Sequence, residues 1–168
     1  MPLRQYAYFA LISKHTSAAE MTAFLGIEPD EVLVRGSRMT EPAVIPTAHK
    51  WKIVCREPGL RVDEQIARVV DRLAPHTQRV AELSARLAAE GEPMHSGAVL
   101  EVVRYFNDDA PTAGPQQAQP TEASNLFGWH IDRSVMDFLA ATGAVLDVDE
   151  YDMSPEPSDE EPEQAVGP

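Results

Sequence analysis

SAAEMTAFLGIEPDEV, residues 17–32, and RSVMDFLAATGAVLDVDEY, residues 133–151, decide the fold of this chain. Each is a short apolar helix pattern closed by a glycine and followed by a segment suited to a strand. In the first, Ser17 and Glu20 stand three apart, the spacing of a capping box, with Thr16 or Ser17 as the cap. Met21, Phe24 and Leu25 form the apolar stripe of a helix over 18–25, Gly26 supplies the left-handed residue that ends it, and Pro29 prevents its resumption. In the second, Asp132 or Ser134 caps a helix over 134–142 and Gly143 closes it. The two units share a stripe and a stop glycine, but their polar residues do not correspond. The repeat therefore specifies how a sheet is covered, and function must lie where the units differ.

Working outward, alternation over 6–13 puts Tyr6, Tyr8, Ala10 and Ile12 on one strand face and Ala7, Phe9 and Leu11 on the other. Both faces are largely apolar, which predicts a central strand. Further strands are expected at 31–35, 49–56, 98–106, 127–132 and 144–151. At 49–56, Trp51, Ile53 and Cys55 share a face opposite Lys50, Lys52 and Val54. A helix capped by Asp63 carries Ile66, Val69, Val70 and Leu73, and Pro75 opens another that buries Val80, Leu83 and Leu87. In the last strand Leu146 and Val148 are expected inside, with Asp147, Asp149 and Tyr151 facing the other way.

The order β-α-β-β-α-α-β-β-α-β predicts an α+β domain of two layers: a mostly antiparallel sheet with helices on one face and ferredoxin-like elements. A doubly wound parallel sheet is the alternative, and it would want more uniformly apolar strands. Residues 1–151 read as one domain, with a flexible insertion at 107–125 and a disordered acidic tail at 152–168.

The 168 residues carry a formal charge of −13. Six acids and no bases in 152–168 account for nearly half of it and leave −7 on residues 1–151. Such a balance argues against a nucleic-acid partner, which needs a basic footprint, and is compatible with a basic protein partner or a homodimer. No run of about 20 apolar residues and no leader pattern is visible, so the expectation is a cytoplasmic protein without a membrane partner.

Motifs with strong chemical content are absent. Gly36-Ser37-Arg38 has the composition of a small anion-binding turn. His49, Cys55 and His130 are soft-ligand types on predicted strands, but they form no paired ligand spacing, and no metal or cofactor is expected. Asp147 and Asp149 place two carboxylates on one strand face without a calcium-loop glycine. The aromatics are the best candidates for an interaction surface. Tyr6, Tyr8, Trp51, Tyr105, Trp129 and Tyr151 all fall on predicted strands, with Arg38, Arg104 and the aspartates as a rim.

YFALISKHTSAAEMTAFLGIEPDEVLVRGSR, HKWKIV, VDEQIARVVDRLAP and GWHIDRSVMDFLAATGAVLDVDEYD together resemble the bacterial family called domain of unknown function 4279. The matching positions are Leu25, Gly26, Ile27, Pro29, Gly36, Trp51, Asp149 and Tyr151. The resemblance implies a small α+β domain and supplies no catalytic residues. Three readings follow. The first is a non-enzymatic interaction module of immunity or regulatory type, using Tyr8, Trp51, Trp129 and Tyr151. The others are a ligand-binding protein or enzyme using Arg38, His130 and Asp149, and a structural self-associating domain.

Overall fold

β1 (Leu3–Ser13) is the strand around which the sheet is built. It pairs antiparallel with β3 (His49–Cys55) on one side and β4 (Gly97–Phe106) on the other. β2 (Glu31–Leu33) adds antiparallel outside β3, and β5 (Val145–Asp152) adds parallel outside β4, giving the order β2-β3-β1-β4-β5. The computed structural model describes residues 3–38, 45–91, 96–107 and 127–154. The expected insertion and acidic tail lie outside these, apart from Asn107 and residues 152–154.

All four α-helices cover one face: α1 (Ala18–Leu25), α2 (Val62–Leu73), α3 (Thr77–Ala88) and α4 (Arg133–Thr142). α1 starts in the expected capping box, with the Ser17 N–H donating to Glu20 at 2.8 Å and the Glu20 N–H donating to Ser17 Oγ at 3.3 Å. Gly26 and Gly143 close α1 and α4 at φ 71° and 65°, where a Cβ would be strained. A 3-10 turn at Ala74–His76 joins α2 to α3 and takes Pro75, whose ring could not sit inside one straight helix.

The core lies between the helices and the face of the sheet formed by Ala7, Phe9, Leu11, Trp51, Ile53, Leu100 and Val102. Met21, Ile66, Leu73, Leu83 and Phe138 fill it from the helices. Trp51 is 0% exposed, and its indole N–H donates to Thr22 Oγ1 at 3.0 Å, so its one polar atom is satisfied at the α1 junction.

The α+β, mostly antiparallel, one-face-covered expectation holds, and the parallel alternative does not. Four local expectations need correction. Residues 127–132 form no strand: Trp129 and Ile131 alternate because the segment lays both on the core, while β5 holds the place beside β4. Asp63 does not cap α2. Arg61 occupies that position, and Asp63 lies inside the first turn, where an acid is favoured by the helix dipole and where its carboxylate pairs with Arg61 at 3.1 Å. The Asp132 side chain makes no capping hydrogen bond to α4, although the residue stands at the N-cap. Val148 is 39% exposed, because β5 is an edge strand that no helix fully covers.

Replacing Trp51 by alanine removes the largest fully buried side chain and is expected to destabilise the domain by about 3–5 kcal/mol. Urea denaturation read by circular dichroism measures this. A loss below about 1 kcal/mol would mean that the core can close over the vacancy.

Candidate functional site

Among the described residues, no helix lies on the other face of the sheet. The period of two that sends Phe9 and Trp51 inward sends the neighbouring residues of every strand outward. A second, smaller apolar cluster forms there around Tyr8, Ala10 and Val103, flanked by Tyr6, Ile12, Val54, Val99 and Tyr105. The chain has four tyrosines, and all four lie on this face.

Their rings are held by neighbours on adjoining strands. Tyr6 and Tyr8 stack along β1 with centroids 6.2 Å apart, and Tyr105 of β4 stacks on Tyr151 of β5 at 5.1 Å. Cations lie over three of them: Arg4 over Tyr105 at 4.1 Å, Lys52 over Tyr8 at 4.1 Å and Arg56 over Tyr6 at 4.0 Å. Each such contact stabilises by roughly 0.5–1 kcal/mol when exposed and more when desolvated. Opposite-charge pairs complete the lattice, with Arg56 on Glu31 at 2.8 Å and Lys52 near the same carboxylate at 3.8 Å. Tyr8 donates to Glu101, which stands directly across the β1–β4 ladder, and Tyr151 donates to Asp149 at 3.2 Å. The face is thus a rigid surface in which polar tips alternate with aromatic planes.

Its electrostatics follow from that packing. Burial, the hydrogen bond to Glu101 and the Glu101 charge all push the Tyr8 phenol far above its ordinary value. Burial raises Tyr6 despite the neighbouring Arg56, and the bond to Asp149 raises Tyr151. Burial lowers Lys52 more than Glu31 raises it.

The predicted site residues separate. Tyr8 and Tyr151 lie on the open face with Asp147 and Asp149. Trp51 is in the core and Trp129 packs half-buried against it, so neither belongs to the exposed surface. Lys50 and Lys52 alternate with Trp51, and that charge marks which face is wet. Arg104 also leaves the expected rim. In phase with Leu100 and Val102, it turns inward, where it is 5% exposed and bonds Glu150 at 2.8 Å and Gln5 at 3.3 Å. Each partner comes from a different neighbouring strand, which is how the buried charge is compensated.

The backbone donors of Gly36 and Ser37 in the Gly36-Ser37-Arg38 turn are already engaged. The Gly36 N–H bonds Pro46 O at 2.9 Å and the Ser37 N–H bonds Val34 O at 3.1 Å, leaving Arg38 as an exposed cation in a loop. His130 bonds Asp132 at 3.0 Å and approaches Asp63 at 3.4 Å on the helix side, so it shares no site with Asp149. His49 Nδ1 accepts from the Arg35 N–H at 3.2 Å, and Cys55 is a buried free thiol. Among the described residues no three His, Cys, Asp or Glu side chains gather as metal ligands, and no helix is long and apolar enough to cross a membrane.

Sequence reasoning missed one feature. A cleft of about 270 Å³ opens at the end of the sheet between the start of β1, Arg56 and the 58–60 turn, with Gln65 of α2 in its wall. Gln65 is fully buried, and its Nε2 donates to Gln5 O and Glu57 O, each at 3.2 Å. Those two carbonyls fix the amide orientation and leave Oε1 without a partner among the described residues. Only its place in an apolar helix stripe, between Val62 and Val69, hinted at burial.

A family model described as a domain of unknown function, DUF4279, matches residues 3–153. The chain belongs to that family. Comparisons with curated proteins and with solved structures give no match. The matched span runs through the five strands and four α-helices of the described residues, so the DUF4279 domain and the observed sheet are the same unit.

A phenol whose pKa rises on folding favours the folded state until the pH passes the ordinary tyrosine value of 10.0, after which stability falls. Phenolate absorbance of the folded chain is therefore expected to lag that of the chain in urea. Tyr8→Phe should flatten the loss of melting temperature above pH 10. An unchanged alkaline slope in that variant would show that Tyr8 is not held as a phenol.

Proposed function

We propose that this domain is a non-enzymatic protein-recognition module, of immunity or regulatory type, working through the open face of its sheet. The single observation that supports this reading is the segregation of aromatics. All four tyrosines lie on the one uncovered face, locked by stacking and cation contacts, while both tryptophans lie on the covered side. Rigid aromatic planes with polar tips give contact area at low entropic cost, which is the composition of recognition surfaces. The order β2-β3-β1-β4 with antiparallel neighbours reads as the ferredoxin-like arrangement, which leaves one sheet face free. The expected experiment is capture from the native host with wild-type chain and with Tyr151→Ala, whose ring is exposed and stacks on Tyr105. A partner held by the wild type should be lost from the variant, with folding unchanged by circular dichroism. Equal capture by both would count against the face.

A second reading rests on Gln65. A buried acceptor without a partner costs about 1–3 kcal/mol, and a small ligand bearing an N–H or O–H donor would recover that cost in the cleft beside it. Ligand-observed NMR with a library of amide-bearing fragments tests it. Hits should be lost in Gln65→Met, and hits that survive would place binding elsewhere.

A further inference from the structure

Among the described residues the charges of the open face balance, although the chain carries −13. Four cations (Arg4, Lys50, Lys52, Arg56) share it with four acids (Glu31, Glu101, Asp147, Asp149). They are also sorted. Lys50, Lys52 and Arg56 follow β3, whereas three of the acids lie on β4 and β5. Between them runs the outward row of β1, with the small Ala10 flanked by Tyr8 and Ile12.

We propose that the partner of this face is a second copy of the same chain, related by a two-fold axis that runs along β1. The inference rests on reading the open face as a recognition surface and names its occupant. A half-turn about a line parallel to the strands lays β3 of one copy over β4 and β5 of the other. The basic half of each copy then meets the acidic half of its partner, and the match occurs twice. A two-fold axis across the strands would instead lay β3 on β3 and oppose like charges. The level of Tyr6 illustrates the fit. Across the ladders Tyr6 stands opposite Val103, and Val103 opposite Asp149, while Arg56 extends β3 to the same level on the other side. The half-turn carries Arg56 of each copy towards Asp149 of its partner.

A foreign basic partner is less well matched, because the acids here are already balanced by cations. Four inter-strand steps of about 4.8 Å and about eight residues of about 3.3 Å give a face of roughly 500 Å² per copy. Two such faces bury about 1,000 Å², at the threshold of a specific interface, so a reversible dimer is expected.

A charge swap tests the geometry by sedimentation equilibrium of the full chain. Wild type is expected to show a monomer–dimer equilibrium that weakens as salt is added. Arg56→Glu and Asp149→Arg should each weaken self-association at least tenfold, and an equimolar mixture of the two should restore it as a heterodimer. If a reversal unfolds the chain, Arg56→Gln and Asp149→Asn should still weaken the dimer together. A wild type that stays monomeric, or a mixture that fails to reassociate while both variants are folded, overturns the proposal. If such a monomer still loses a captured protein on Tyr151→Ala, only the homodimer falls and the recognition reading stands.

Discussion

β1 is hydrogen-bonded along both edges, to β3 over Ala7–Ser13 and to β4 over Leu3–Ile12, and the rest of the domain depends on that double ladder. A strand paired on both sides has no freedom to shift register, because a slip of one residue would exchange its two faces. Phe9 and Leu11 would then leave the core, and Tyr6 and Tyr8 would enter it. With β1 fixed, the phases of β3 and β4 follow, and so does the division between a dry face under four helices and a wet face that carries every tyrosine.

The two faces solve different physical problems. The covered face is apolar apart from a few polar groups, and the Trp51 indole and the Arg104 guanidinium find partners there. The open face gathers its large side chains into a small cluster of their own, in which Tyr8 is 5% exposed, and stabilises them laterally. Stacking and cation–ring contacts hold Tyr6, Tyr8, Tyr105 and Tyr151 in place without burying them under a second layer. Such a surface is already ordered, so a partner that docks on it loses little to side-chain freezing. That same order makes the distribution of charge across the face, basic on β3 and acidic on β4 and β5, a fixed feature with directional consequences.

Much of the candidate site was legible. Alternation alone put Tyr6 and Tyr8 together and Asp147, Asp149 and Tyr151 together, and both groupings stand. Trp51 was legible in principle, since flanking lysines cannot both be buried and so its face must be the dry one. Arg104 is a harder case. Its phase pointed inward and its charge pointed outward, and the phase prevailed because Glu150 and Gln5 meet it from strands on either side. Residues 127–132 alternate like a strand, but alternation reports only that one side is dry, not that the backbone has a neighbour.

The sequence by itself determined the local units: α1 with its capping box, the stop glycines at 26 and 143, and the two faces of each strand. These depend on residues a few positions apart, so their physics is written in spacing. Only the tertiary structure decided the order β2-β3-β1-β4-β5, the parallel addition of β5 and the burial of Arg104 and Gln65. Those features arise from contacts between residues up to about a hundred positions apart, such as the bond from Arg104 to Gln5. Periodicity says which side chains share a face, but not which strand lies beside it.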